Sequence, residues 1–305
     1  MPDHLHRMGE QHFRIVGRAR WNRWVGAGAV TLFVAWVVFQ VLTNPGFQWS
    51  IVGHYLFDRE ILAGVRMTCE LTVLVMAIGI MIGLLLAIMK LSGNGLMSFV
   101  AGAYVWFFRG TPVLVQLVFW YNLAALFPHL ALGIPFGGPK FLSISSTAAI
   151  SSFTAALLGL GLNEGAYMAE IIRGGILSVD QGQSEAAKAL GYRPLQVMMT
   201  IIVPQAMKAI VPPTGNQVIG MLKYSSLASI VALQELMQSA EDIYSRNFQT
   251  IPLLIVASLW YIALTSLLSV AQSLIESYYK QAEGSVSMQL FGRIAGQPDA
   301  LTPPG

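Results

Sequence analysis

The chain has 305 residues, of which 55% are hydrophobic and only 11% charged. An ordinary soluble domain carries about 25% charged residues, so this deficit points to segments that cross a membrane. The net charge of +3 is too small for a nucleic-acid surface, and a single cysteine, Cys69, excludes an intramolecular disulfide and a cysteine metal cluster.

The arm 1–23 is basic and carries His4, His6 and His12 at irregular spacing, with no acid or cysteine to complete a ligand set, so no metal site is expected. Trp24 to Leu42 reads as a first span. A helix needs about 20 apolar residues to cross roughly 30 Å of hydrocarbon. This one is too long for a signal-peptide core and lacks a small-residue cleavage site, so an uncleaved anchor is expected. An external loop, 43–63, follows. The transmembrane domain 64–280 then holds five more expected spans. They are about Leu71 to Met89, Phe99 to Phe127 with an interruption near Arg109, Ile150 to Leu177, Ile201 to Leu222, and Ile251 to Ile275. The tail 281–305 has scattered Gly, Pro and Ser and reads as flexible. The expected fold class is an all-α integral membrane protein with six spans.

Orientation follows from Lys and Arg. With the N-terminus inside, the inner segments hold Arg7, Arg14, Arg18, Arg20, Arg23, Lys90, Arg173, Lys188, Arg193, Lys280 and Arg293. The outer ones hold only Arg59, Arg66, Lys140, Lys223 and Arg246. The positive-inside rule puts both termini in the cytosol. The spans are not plain anchors. Gly79 and Gly83 form a G-x-x-x-G, and Gly161 and Gly165 repeat it, a spacing that lets helices approach closely. Asn163, Tyr167 and Glu170 share one helical face, with Glu164 near the span's midpoint. Ionisable groups at that depth are functional candidates. Glu170 could also pair with Arg173 at i+3. Pro204, Pro212 and Pro213 break the fifth span beside Asn216 and Gln217, and broken polar helices line cavities. Thr111 and Gln116 are further candidates for the pathway, whereas Arg109 reads as structural, snorkelling or bracing the third span.

Between the fourth and fifth spans lies a loop, 178–200, of soluble character. Asp180 can cap a helix, with Gln183 in a loose capping box. The helix runs through Glu185, Ala186, Ala187, Lys188, Ala189 and Leu190. Gly191 suits the left-handed position past its end, and Pro194 the first turn of a second helix. The slim alanine knob suits a groove on a soluble partner, and Glu185 and Lys188 can pair with each other or with that partner. The chain has no G-x-x-x-x-G-K-[ST] loop, so an ordinary nucleotide engine is not encoded in it.

The stretch from Glu185 to Pro204 resembles the EAA motif of ABC-importer permeases, with Val203 where the pattern commonly has Leu. Three further stretches resemble the polar amino-acid uptake branch of that family: Phe107-Phe108-Arg109-Gly110-Thr111-Pro112 with Leu114-Val115-Gln116; Gly165-Ala166-Tyr167-Met168-Ala169-Glu170 followed by Arg173-Gly174-Gly175; and Leu222-Lys223-Tyr224-Ser225-Ser226-Leu227. The resemblance spans about Gly64 to Glu276. It implies a five-span permease core preceded here by one extra helix. It implies coupling through Glu185, Ala186, Ala187, Lys188, Gly191 and Pro204 to a dimer of ATP-binding subunits, which carry the ATP and Mg. Further implied partners are a second permease, identical or similar, an external amino-acid-binding protein, and the lipid of the bacterial inner membrane in which this chain sits. No cofactor is expected in this chain, and nucleic acid is not an expected partner. The alternative is an ion-coupled secondary amino-acid transporter, which would show inverted repeats and need no docking helix.

Overall fold

The computed structural model describes residues 21–133 and 140–295. The arm with His4, His6 and His12 therefore lies outside the described residues. The chain divides into two units, Met1–Trp49 and Ser50–Gly305. In the first, α1 (Trp21–Thr43) is an apolar helix whose side chains from Trp24 to Gln40 are all exposed. Its few hydroxyls bond inward, Thr31 to the Ala27 carbonyl and Thr43 to the Phe39 carbonyl, so no side-chain hydroxyl is left bare to lipid. Asn44 caps a short 3₁₀ turn, Pro45–Phe47, that ends the helix.

Helix α2 (Trp49–Tyr55) begins at the boundary between the units and continues into the second, where α3 (Arg59–Leu91) follows, capped by Asp58 at the Glu60 N–H. Next come α4 (Gly95–Gly110) and α5 (Val113–Tyr121), bent by 98° at Thr111 and Pro112. Proline disfavours the helical conformation in the residue before it. Thr111 is accordingly extended, at φ −110° and ψ 139°. A single turn, α6 (Leu123–Leu126), leads into an antiparallel hairpin of β1 (His129–Gly133) and β2 (Lys140–Ser145), with His129 opposite Ser145. Another turn, α7 (Ser146–Ala149), precedes α8 (Ser152–Leu177), capped by Ser151. The loop helix α9 (Gln181–Ala189) follows, then α10 (Pro194–Val197), a π turn at Met198–Ile202 and α11 (Val203–Tyr224). A 3₁₀ segment, Ser225–Val231, connects to α12 (Leu236–Asn247), and α13 (Thr250–Ala295) completes the described chain.

Four helical stretches are long and apolar enough to span a membrane: Trp24–Thr43, Arg59–Leu91, Pro194–Val231 and Thr250–Tyr279. The bent pair α4 and α5 makes a fifth if it is one span. The helix α8 is long enough, at 26 residues, but Asn163, Glu164, Glu170 and Arg173 keep it out of that apolar set.

Three expectations change. The hairpin between α6 and α7 is a small β element in an otherwise helical fold, and the third span's helix ends at Tyr121 rather than running on to Phe127. The helix α12 occupies what read as loop; its buried Leu236, Ala240 and Ile243 lie at i, i+4 and i+7. Finally, α13 continues as helix to Ala295, well into the stretch read as a loose tail, and 296–305 lie outside the described residues.

Helix α8 is the axis of the packing. Both glycine motifs meet across it. A Cβ on Gly79 would stand 2.6 Å from Glu164 Cγ, and one on Gly165 2.6 Å from Ile82 Cγ2. The same approach recurs where Gly159 receives Leu117 of α5 and Gly175 receives Ile210 of α11. Around these crossings Leu71, Val75, Leu117, Leu160 and Met168 form one core. A second core, Val52, Ile61, Leu236, Leu253 and Val256, joins α2, α3, α12 and α13. Its polar anchor is fully buried Glu235, which caps α12 by accepting from the Met237 and Gln238 N–H groups and from the Tyr261 hydroxyl. Burial pushes the Glu235 carboxyl above its ordinary range, and these donors pull it back.

Candidate functional site

Five of the residues expected on the pathway meet at one cavity of about 440 Å³. Asn163, Glu164 and Tyr167 come from α8, Thr111 from the bend between α4 and α5, and Gln217 from α11. Glu164 is 3% exposed. Its two carboxylate oxygens accept from the Gln217 amide at 3.0 and 3.2 Å, and Gly79 presses on its methylenes from α3. The carboxylate is thus held between three helices, with a neutral amide as its partner.

The bend that forms one wall is tied by side chains. Gln116 donates to the Phe108 and Thr111 carbonyls, at 3.0 and 3.2 Å, and to the Thr111 hydroxyl at 2.7 Å. Asn163 donates to the same Phe108 carbonyl at 2.7 Å. These bonds satisfy the backbone groups that Pro112 frees, as hydrocarbon demands. Gln116 itself is buried behind Thr111 and does not line the cavity, and its own carbonyl oxygen has no partner.

Two expected residues lie elsewhere. Glu170 is two turns beyond Asn163 on the same face, about 10 Å along the axis. There it accepts from Lys90 at 2.6 Å and from Arg173 at 2.7 Å, joining the last turn of α3 to α8. This is the i+3 brace, with a second cation added. Asn216 points away from Gln217 and accepts from Gln272 of α13 at 3.0 Å. Arg109, read from sequence as a structural residue, lines the cavity, its guanidinium carbon 5.1 Å from the Tyr167 ring centroid. The signal for it was its place two residues before the Thr111–Pro112 break. Tyr224 and Met221, at the end of α11, also line the wall. Among the described residues no cluster of His, Cys, Asp or Glu could hold a metal ion.

The loop is built as a knob. Asp180 caps α9 through the Gly182 N–H at 2.7 Å, so the side-chain cap goes to that residue rather than into a box with Gln183. At the far end Gly191 adopts φ +84°. Its N–H bonds to the Lys188 carbonyl, and the Tyr192 N–H to the Ala187 carbonyl, a Schellman closure. Pro194 opens α10, and the Arg193 N–H donates to Gln196 Oε1. Only Ala187 of α9 is buried; Glu185, Ala186, Lys188 and Ala189 are exposed, and Leu190 is 79% exposed. Pro204 cannot donate a backbone bond, and the π turn before it absorbs the mismatch, the Val203 N–H reaching back to Met198.

A broken membrane helix, a charged cavity beside the break and an exposed helical knob between two long helices define a transport permease. Residues 79–281 match the family described as the binding-protein-dependent transport system inner membrane component, and the chain belongs to that family. It is 41% identical over 281 residues to the arginine transport system permease protein of Corynebacterium glutamicum, covering 92% of this chain and 86% of that protein. It is 32% identical to the glutamine transport system permease of Escherichia coli, over 73% of this chain and 93% of the relative. A crystal structure of an amino acid ABC transporter with histidines superposes with a TM-score of 0.61 at 36% identity, covering 72% of this chain and 94% of that one. The methionine transporter MetNI shares the fold, with a TM-score of 0.54 at 19% identity. The chain is therefore a permease subunit of an ABC importer of the inner membrane, and ATP is hydrolysed by a separate subunit.

Proposed function

We propose that the chain carries a basic amino acid inward by alternating access, with Glu164 receiving the substrate's positive charge. One observation carries this reading: a buried carboxylate, held by a neutral amide, opens onto a cavity of about 440 Å³ halfway along α8. Small-molecule sites are typically about 300–1,000 Å³. A carboxylate in such a place gains more from a cation than it would in water. The 41% identity to an arginine permease supports the same substrate class. Glu164→Gln should lower uptake of a basic amino acid about tenfold or more, as expected when a buried charged partner is lost. Complex assembly should be unchanged. Uptake kinetics equal to wild type would remove Glu164 from the site.

The reading extends to the machine. Six spans, counting α1 and α8, keep both termini in the cytosol, where the Lys and Arg excess lies. The ATPase dimer grips α9 through Ala186, Ala189 and exposed Leu190, flanked by Glu185 and Lys188. Its closure, driven by ATP and Mg, swings α11 through Pro204. A second permease, identical or similar, completes the pathway, and an external binding protein delivers the substrate. Leu190→Glu tests the docking face. The purified permease should keep its melting behaviour and lose the ATPase on co-purification; retention of the ATPase would refute the assignment.

A further inference from the structure

Arg109 and Glu164 line the same cavity without pairing with each other. Other internal cations find acids: Lys90 and Arg173 share Glu170. Arg109 instead rests on the face of the Tyr167 ring, a weak hold for a guanidinium, and no carboxylate among the described residues bonds to it. A fixed cation and a fixed anion facing one space, each left with a neutral partner, form a dipolar slot. The molecule that fits such a slot carries both charges, and an α-amino acid does. The wall beside Arg109 also carries the start of α5, which has no side-chain cap and where Pro112 and Val113 line the cavity.

We propose that Arg109 is the specificity-determining residue for the substrate's α-carboxylate, swinging off the Tyr167 ring to form a bidentate pair while Glu164 holds the cationic end. The planar guanidinium fork matches a carboxylate better than an ammonium would. The assignment rests on the cavity being the substrate site. It adds an orientation: carboxylate toward the break between α4 and α5, cation toward α3 and α11. It also adds a discrimination: amines lacking the carboxylate should be rejected.

The test uses the permease assembled with its ATPase in lipid nanodiscs, without the external binding protein, so that no other protein selects the ligand. Binding of L-arginine is compared with binding of agmatine, the same molecule without its carboxylate. Wild type should prefer arginine by about tenfold or more, since a site built to pair a polar group rejects the analogue lacking it. Arg109→Gln should lose that preference by weakening arginine while agmatine binding is kept or strengthened, since a fixed cation repels a ligand that carries only positive charge; elution of the assembled complex as wild type on gel filtration is the control for folding. Arg109→Lys should recover part of it. Glu164→Gln should weaken both ligands. A preference that survives in Arg109→Gln, or equal loss of both ligands in the two Arg109 variants, overturns the carboxylate assignment and leaves the cavity reading standing. Binding that neither Glu164→Gln nor Arg109→Gln alters overturns both.

Discussion

A Cβ built on Gly83 would stand 2.5 Å from the Met168 Cβ and 2.8 Å from the Met168 carbonyl carbon. One of those atoms is backbone, so the crowding cannot be relieved by a rotamer change. Gly83→Ala should therefore cost about 1–3 kcal/mol, the usual range for overpacking, read as a lower melting temperature of the purified permease. Gly102 has open space at the same test, and Gly102→Ala should be neutral or slightly stabilising. Glu170 sets the second residue-scale expectation. Its loss leaves Lys90 and Arg173 facing each other with side chains only 22% and 33% exposed. Glu170→Gln should destabilise by about 1–2 kcal/mol, between the exposed and buried limits for broken pairs, and the added Lys90→Met change should recover part of the loss. Sequence periodicity placed Glu170 on the face of α8 that carries Asn163 and Tyr167 but did not say at what height along that face the cavity opens, which is why it could not separate Glu170 from Tyr167. Arg109 shows the converse. Its role depends on a 98° bend that brings it beside a helix distant in sequence.

Among the elements, α9 was the most legible, because its signals are local. A cap at Asp180, a left-handed Gly191 and Pro194 at the next start all act within a few residues, and all three are present. Gly191→Ala should lose about 1 kcal/mol from the strain of a positive φ and weaken substrate-stimulated ATP hydrolysis in the assembled complex. Gly191→Asn, which tolerates that conformation better, should be milder. The elements that escaped the sequence are those whose signal is short or borrowed. Helix α12 is only 12 residues, and its start depends on Glu235, whose burial comes from α3 and α13. The hairpin has strands of 5 and 6 residues, too brief to stand out from the neighbouring apolar runs.

At the scale of the whole chain, the division at Trp49 matters. Both cores described above draw their buried residues from Val52 onward. A chain starting at Ser50 should keep its melting transition and its binding of the ATPase; loss of either would show that the second unit needs the first to fold. Composition announced a membrane protein, yet its most buried long helix is the one too polar to pass as a span. Hydropathy reads the solvent a helix expects, whereas α8 is surrounded by other helices.

The π turn at Met198–Ile202 has a mechanical consequence. It inserts one residue into the rod that joins the knob to Gln217. Each residue of a regular helix turns the next by about 100°, and the wider π turn takes up the extra residue so that the exposed face of α9 and Gln217 keep their angular phase, as a key holds a crankshaft in time. Deleting Thr200 should restore a regular helix with its ends in phase, whereas inserting one alanine after Met207, where the helix is regular, should rotate one end against the other. The insertion variant should still assemble and hydrolyse ATP while uptake falls, and uptake equal to wild type would show that the phase of the two ends does not matter.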